Sequence, residues 1–354
     1  MNLQKRIAAF SKLGDFLAQF SRDNIEPINT VPYNDLFFEA YKLLIKRAKE
    51  SNGWFTEENV LHAIENISSS LDKTNLEAWA STYKLENTNP KSIAVIMAGN
   101  IPLVGFHDFL SVLISGHKVL VKQASNDKHF LPLMANYLKY VEPEFENFIT
   151  FTEEKLSGFD AAIATGSNNT ARYFEYYFGN YPHIIRKNRN SIAVLSGNET
   201  QKDLQKLGED IFRYFGLGCR SVSKLFVPKD YDFDNLFRAI YDYKEIIYYK
   251  KYQHNYDYNK AVYLMSEFKL YDNGFLMLKE DTSYASPIAS LFYEYYDNLE
   301  GLQQQLADDA DYIQCIVGNA IEGAIPFGKT QQPLLTDYAD GVDTLQFLSE
   351  LANV

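Results

Sequence analysis

SIAVIMAGNIPLVGFHDFLSVLISGHKVLVKQ (92–123) changes its hydrophobic period twice. SIAVIMA (92–98) is a short apolar run with β-branched residues that ends at Gly99, the pattern of a strand buried on both faces. FHDFLSVLISG (106–116) has helical spacing and stops at Gly116, a residue suited to a helix C-terminus. KVLVKQ (118–123) is a strand again. The alternation continues downstream. HFLPLMANYLKYV (129–141) reads as a helix with Pro132 tolerated in its first turn. FITF (148–151) and FDAAIATG (159–166) read as strands, and NTARYFEYYFG (169–179) as a helix. Strand and helix alternating at this spacing predict an α/β fold with a parallel sheet covered on both faces.

Upstream, residues 1 to about 88 read as helical. LFFEAYKLLIKRAKE (36–50) is one example. TEENVLHAIENI (56–67) is another, with Thr56 as N-cap and Asn59 at the third helical position. A Pro-bearing break, NTNPK (87–91), separates them from the strand at 92. Beyond 190 the spacing predicts a strand at SIAVLSG (191–197), a helix over QKDLQKLGEDIFRYFG (201–216) and a strand at KLFVP (224–228). The Tyr- and Lys-rich stretch 244–267 reads as partly helical. PIASLFYEYY (287–296) reads as a strand, LEGLQQQLADD (299–309) as a helix and IQCIVG (313–318) as a strand. The tail carries turn signals at Pro333 and Asp340-Gly341. Three segments are expected: residues 1–190, 191–330 and a returning segment, 331–354.

Composition narrows the function classes. Of 354 residues 46% are apolar and 23% charged, the profile of a folded chain. The formal charge of −12 argues against a nucleic-acid partner. No apolar run approaches the roughly 18 residues of a membrane span. The N-terminal stretch has helical spacing broken by charges and lacks the apolar core of a secretory leader, so a cytoplasmic protein is expected. The only two cysteines are Cys219 and Cys315, too few for a disulfide framework or a Cys-rich zinc site, and no metal is expected. Tyr and Phe are abundant, at 26 and 25.

Four places carry candidate chemistry. In MAGNIPLVG (97–105), Asn100 follows a strand end, where ligands of open α/β sheets bind. Its amide can serve a developing oxyanion; on spacing alone a turn residue satisfying local backbone has the greater weight. In VLVKQASND (119–127), Lys122 ends a strand and suits a phosphate or ribose hydroxyl, although an exposed lysine is the commoner role. In ATGSNNTARYF (164–174), Thr165, Gly166 and Ser167 lead into a helix N-terminus, a setting that favours phosphate. No G-x-G-x-x-G follows any of these strands. Cys219 lies in FRYFGLGCRSVSKLFVP, between Gly218 and Arg220. Arg220 and Lys224 supply charge that would favour a thiolate. A buried structural thiol is the equal alternative, and Cys315, inside an apolar run, is the better candidate for it.

In order, these four sites resemble the aldehyde dehydrogenase superfamily from about residue 92 to the C-terminus. The resemblance implies two interleaved three-layer α/β lobes, a Rossmann-like cofactor lobe and a catalytic lobe. Asn100 falls on the oxyanion-hole Asn, Lys122 on the cofactor-contacting Lys, Thr165, Gly166 and Ser167 on the turn beside the nicotinamide and pyrophosphate, and Cys219 on the nucleophile. AIPFGKTQQPLLTDY is similar to the closing Pro-Phe-Gly turn. Oxidising members carry a hydrolytic Glu where this chain has HIIRKNRNSIAVL (183–195), which has no Glu. That departure resembles the LuxC-type acyl-CoA reductases, which make fatty aldehydes. The resemblance then implies an acyl-CoA substrate, an S-acyl-Cys219 intermediate and a dimeric or tetrameric enzyme. Ser125 stands where an acidic residue often reads the adenosine ribose, and this favours NADPH over NADH. Glu280, before a Ser-Pro, is the expected remnant of the family's second acidic position. Two alternatives use the same residues: an acyltransferase or thioesterase without hydride chemistry, and a non-catalytic subunit of an acyl-handling complex.

Overall fold

The computed structural model describes residues 1–86 and 89–352, so the break expected at 87–91 falls partly on Asn87 and Thr88, outside the described residues. The chain divides into two compact units, one of residues 1–187 together with the C-terminal stretch from Leu334, the other of Asn188–Pro333.

The first unit begins with helices α1 (Leu3–Leu17), α2 (Asn34–Ser51), α3 (Glu57–Ser70) and α4 (Lys73–Ser81). Thr56 caps α3 as its position suggests, accepting the Asn59 N–H. Then follow β1 (Ser92–Ile96), α5 (Phe106–Ile114), β2 (Lys118–Lys122), α6 (Phe130–Val141), β3 (Ile149–Phe151), β4 (Ala161–Thr165), α7 (Asn168–Phe178) and β5 (His183–Arg186). The strands form one sheet, ordered β3-β2-β1-β4-β5, with every neighbour parallel. Alternation along β1 and β4 decides which helix covers which face. Ile93, Val95 and Ile163 join the large core with Phe109 and Leu113 of α5. Ala94, Ala162 and Ala164 face the other way, where Phe174 and Phe178 of α7 cover them. The connections leaving β1 and β4 therefore pass to opposite faces. That makes the carboxyl ends of these two strands a topological switch point, the place where open sheets bind ligands.

Much of the aromatic surplus packs beneath this sheet. Phe16 stacks on Tyr137 of α6 with ring centroids 4.5 Å apart and meets Tyr41 of α2 edge-on at 5.6 Å. Such contacts add about 0.5–1.5 kcal/mol each beyond area burial.

The second unit contains β6 (Asn190–Val194), α8 (Gln201–Phe212), β7 (Val222–Pro228), α9 (Phe233–Ala239), α10 (Lys250–Met265), β8 (Leu270–Asp272), β9 (Met277–Glu280), β10 (Ser290–Tyr296), α11 (Leu299–Asp308) and β11 (Ile313–Val317). Its sheet runs β11-β6-β7-β10-β9-β8, parallel except for the β8–β9 edge pair. Leu204, Leu207 and Ile211 of α8 cover one face together with α9. Leu302 and Leu306 of α11 cover the other, against Ile192, Val194 and Phe226. A last helix, α12 (Thr344–Leu351), belongs to the first unit. There His117 fixes it, with its Nε2 2.8 Å from the Leu348 carbonyl oxygen and its Nδ1 accepting the Lys91 N–H.

Helical spacing over 201–216 extends too far. The α-helix ends at Phe212, because Tyr214 and Phe215 (φ 55° and 59°) and Gly216 (φ 75°) take left-handed conformations in succession. The strand β5 and helices α9 and α12 are among the elements that periodicity did not single out.

Candidate active site

Cys219 follows that left-handed run and is exposed; neither cysteine forms a disulfide. Its short loop is fixed by backbone and side-chain bonds from within the second unit. The Ser191 hydroxyl at the start of β6 donates to the Cys219 carbonyl at 2.9 Å. The Ser221 N–H closes a turn onto the Gly218 carbonyl at 2.9 Å. Behind it, the buried Gln331 amide donates to the Ser221 hydroxyl at 3.2 Å. Gln331 lies just past the Pro326-Phe327-Gly328 turn, which α8 holds through Asp210. A small cavity brings Phe215, Gly216 and Ser223 beside the Ser286-Pro287 turn. Ser223 reaches the same returning segment, donating to the Tyr284 carbonyl at 2.7 Å.

The two cations expected to favour a thiolate are directed elsewhere. Arg220 donates to the sulfur of Cys315 at 3.3 Å, and Cys315 is buried in β11. Lys224 is fully buried, bound to the Glu294 carboxylate at 2.6 Å and to the Thr282 carbonyl at 2.7 Å. A buried cation needs such partners, so its charge serves the fold of the 282–284 segment. Glu280 closes β9, two strands from β7, and pairs in register with Tyr293, itself level with Leu225. The segment that returns to the Cys219 end of the sheet is the Ser286-Pro287 turn.

The remaining sequence-derived candidates gather in the first unit, at the carboxyl edge of its sheet. Lys122 ends β2 and donates to the Glu154 carbonyl at 2.9 Å, while its own carbonyl accepts the Met97 N–H. Ser125 follows it, exposed. Across the switch point, Thr165 ends β4. Gly166 has no room for a side chain: a Cβ would stand 2.9 Å from the Phe174 ring and 3.0 Å from Thr170. Ser167 caps α7, accepting the Thr170 N–H. An ammonium, hydroxyls and a helix N-terminus form a donor set suited to phosphate and ribose oxygens.

Asn100 is exposed in the loop from β1 to α5. Gly99 before it is required by close approach, since a Cβ would meet Asn126 Oδ1 at 2.2 Å and Ala124 at 2.7 Å. Leu103 after it has φ 58°, a conformation that costs a bulky residue about 1–3 kcal/mol and persists only where neighbours impose it. Two side chains that the sequence patterns passed over hold this loop. Asn52 donates to the Gly99 carbonyl at 3.1 Å, and Asp127 accepts the Leu103 N–H at 2.8 Å. Burial raises the Asp127 carboxyl to about 7, against the lowering effect of that bond. The signal available for Asp127 was only an Asp at a helix entry, which reads as a cap.

Within the stretch 183–195, Arg186 is buried and binds Asp108 and, at 2.8 Å, the Thr344 hydroxyl, while His183 is exposed. Among the described residues, no group of three or more His, Cys, Asp or Glu could hold a metal ion. Nor is any helix there long and apolar enough to cross a membrane.

Solved structures of the aldehyde dehydrogenase superfamily share this architecture. Aldehyde dehydrogenase 21 from Physcomitrella patens, in complex with the reaction product succinate, is 11% identical, with a TM-score of 0.65 over 99% of this chain and 84% of that one. An NAD+ complex of an aldehyde dehydrogenase from Bacillus cereus is 12% identical, with a TM-score of 0.61 over 90% and 72%. The fold is that of an aldehyde dehydrogenase, as the order of motifs implied. No curated protein matches the sequence. The family model described as acyl-CoA reductase (LuxC) matches residues 18–239. The chain belongs to the LuxC acyl-CoA reductase family, a family of oxidoreductases.

Proposed function

We propose that this protein reduces a fatty acyl-CoA to the aldehyde with NADPH, through an S-acyl intermediate on Cys219. The observation that carries the reading is an exposed cysteine on a loop held by Ser191, Ser221 and Gln331, in a chain of the acyl-CoA reductase family. The Cys219 thiolate attacks the thioester carbonyl carbon and forms the new C–S bond. The oxyanion roles of the Asn100 amide and the Cys219 N–H rest on the resemblance alone. Collapse of the tetrahedral adduct expels CoA as its thiolate and leaves the acyl group on Cys219. NADPH, when bound, supplies the hydride that reduces this acyl group. Cys219 then leaves as thiolate from the reduced adduct, and the aldehyde departs.

Lys122, Ser125, Thr165, Gly166 and Ser167 are assigned to the dinucleotide, with the α7 N-terminus toward its phosphates. The ribose role of Glu280 rests on the resemblance alone. Hydrolysis of the acyl enzyme is disfavoured because 183–195 offers no carboxylate base.

The test is acyl-CoA-dependent oxidation of NADPH by the purified chain, with aldehyde and CoA quantified. Equal yields of NADP+, aldehyde and CoA are expected. CoA release without NADPH consumption would identify a transferase or thioesterase. No release of either would mark a non-catalytic subunit.

A further inference from the structure

The loop carrying Asn100 runs over Met97–Gly105 and is tethered on both sides of that residue. On one side the Asn52 amide holds the Gly99 carbonyl; on the other the Asp127 carboxylate holds the Leu103 N–H. Asp127 is built into a rigid platform. Its N–H donates to the Ala124 carbonyl at 3.1 Å, and its carbonyl accepts the Gln123 amide at 3.0 Å. Its neighbour Asn126 packs under Gly99 so closely that no side chain could stand there. The left-handed conformation at Leu103 is the one feature of the loop that its own residues do not favour. A carboxyl oxygen accepts that N–H in either protonation state, and once Asp127 ionises, above about pH 7, the bond is of the stronger, charge-assisted kind.

We propose that Asp127 is a positioning residue for Asn100: by holding the Leu103 turn it sets the direction in which the Asn100 amide faces the acyl oxygen. The inference rests on the reading of Asn100 as an oxyanion donor. Stabilisation of a developing oxyanion depends on a donor placed before the reaction begins. A donor about 1 Å out of place loses rate while binding of the ground state is little changed. Asp127 also borders a cavity whose lining includes Leu43, Leu44, Phe55, Phe130, Arg47 and Lys128. Asp127 lies two residues past Ser125, in the stretch assigned to the dinucleotide, so KM for NADPH is the readout that separates an effect on the cofactor from one on the Asn100 loop.

The experiment is a double-mutant cycle on the full chain, with Asp127→Ala, Asn100→Ala and the pair, read as kcat and KM with acyl-CoA and NADPH. Asp127→Ala is expected to lower kcat about 10-fold or more, with both KM values within about 2-fold. In the Asn100→Ala background the same change is expected to cost less than about 2-fold. Asp127→Asn keeps an acceptor oxygen and should recover most of the loss. An equal loss in both backgrounds, or a rise in KM at constant kcat, would make Asp127 a fold staple and overturn the proposal. If Asn100→Ala left kcat unchanged, the oxyanion reading itself would fail and this inference with it. Should Asp127→Ala not fold, Asp127→Ser takes its place in the cycle with the same expected and overturning results.

Discussion

The Asp210 carboxylate takes two hydrogen bonds from Thr330, from its N–H at 3.0 Å and its hydroxyl at 2.8 Å, and a third from the Gly328 N–H at 2.6 Å. One acidic side chain of α8 thus fastens the Pro-Phe-Gly turn, and through Gln331 the back of the Cys219 loop. Asp210→Ala would leave three donors without their acceptor, two of them on Thr330, which is fully buried. The expected cost is about 2–4 kcal/mol, read from chemical denaturation. Burial raises the Asp210 carboxyl to about 6 even against these three bonds, whereas an unfolded Asp titrates near 3.9. The folded state therefore binds the proton more tightly. The stability this group contributes is complete below about pH 4 and falls as pH rises through 6. Asp210→Ala should accordingly destabilise more at pH 4 than at pH 7, and the reverse trend would refute the assignment. Asp127, raised to about 7, contributes with the same sign over a window reaching higher.

Cys219 and Cys315 should differ completely in acylation. Cys315 lies inside β11 with 5% of its surface exposed and the Arg220 guanidinium on its sulfur. Incubation with acyl-CoA in the absence of NADPH is expected to add one acyl mass to the wild type and to Cys315→Ala. Cys219→Ala should gain none, and its turnover should fall by on the order of 1,000-fold or more, as when a nucleophile is removed. Intact-mass measurement decides it. Acylation that persisted in Cys219→Ala would remove that residue from the mechanism.

The parts of the fold that sequence revealed are those where one period dominates. The apolar runs at 92–98 and 161–165 supply strands with buried centres, and β-branched or small residues fill them. The α8 boundary was not legible in the same way. Leu207, Ile211, Phe212 and Phe215 keep an apolar period, while the backbone has already left the helix at Arg213. The strand β5 was masked by its length, four residues with Arg186 buried at the end, where an ion pair with Asp108 replaces apolar burial. Residue identities marked Asn100, Lys122 and Cys219 as candidates, but not where neighbouring charges point. Proximity in sequence assigned Lys224 to Cys219; strand geometry assigns it to Glu294.

Ser125 gives a test of cofactor choice. It is exposed just beyond Lys122, at the sheet edge assigned to the dinucleotide. Nearby, Glu153 is paired with Lys128 at 3.4 Å, an exposed pair with little energy of its own. Introducing a carboxylate by Ser125→Glu would repel a 2′-phosphate while offering an acceptor to a 2′-hydroxyl. The ratio of kcat/KM for NADPH over NADH is expected to fall by about 10-fold or more, mostly through KM for NADPH. An unchanged ratio would place the adenosine ribose away from Ser125.

The left-handed run before Cys219 offers the last test, because its strain and its packing can be separated. Gly216 adopts φ 75°, and the nearest atom to an added Cβ is the Ile211 carbonyl oxygen at 3.4 Å. Gly216→Ala therefore meets no severe clash and should cost about 1 kcal/mol through backbone conformation. Phe215 is different: its ring stacks on Tyr249 at 4.5 Å, and that contact helps to hold a non-glycine residue at φ 59°. Phe215→Ala removes the packing, at a cost of about 3–5 kcal/mol if the site cannot collapse, and leaves the strained turn able to relax. Since Cys219 follows closely in the chain, relaxation should lower the rate of Cys219 acylation in Phe215→Ala well beyond that in Gly216→Ala. Stopped-flow CoA release compares them. Equal acylation rates in the two variants would show that the loop is set by Ser191 and Gln331 alone, with no contribution from the left-handed run.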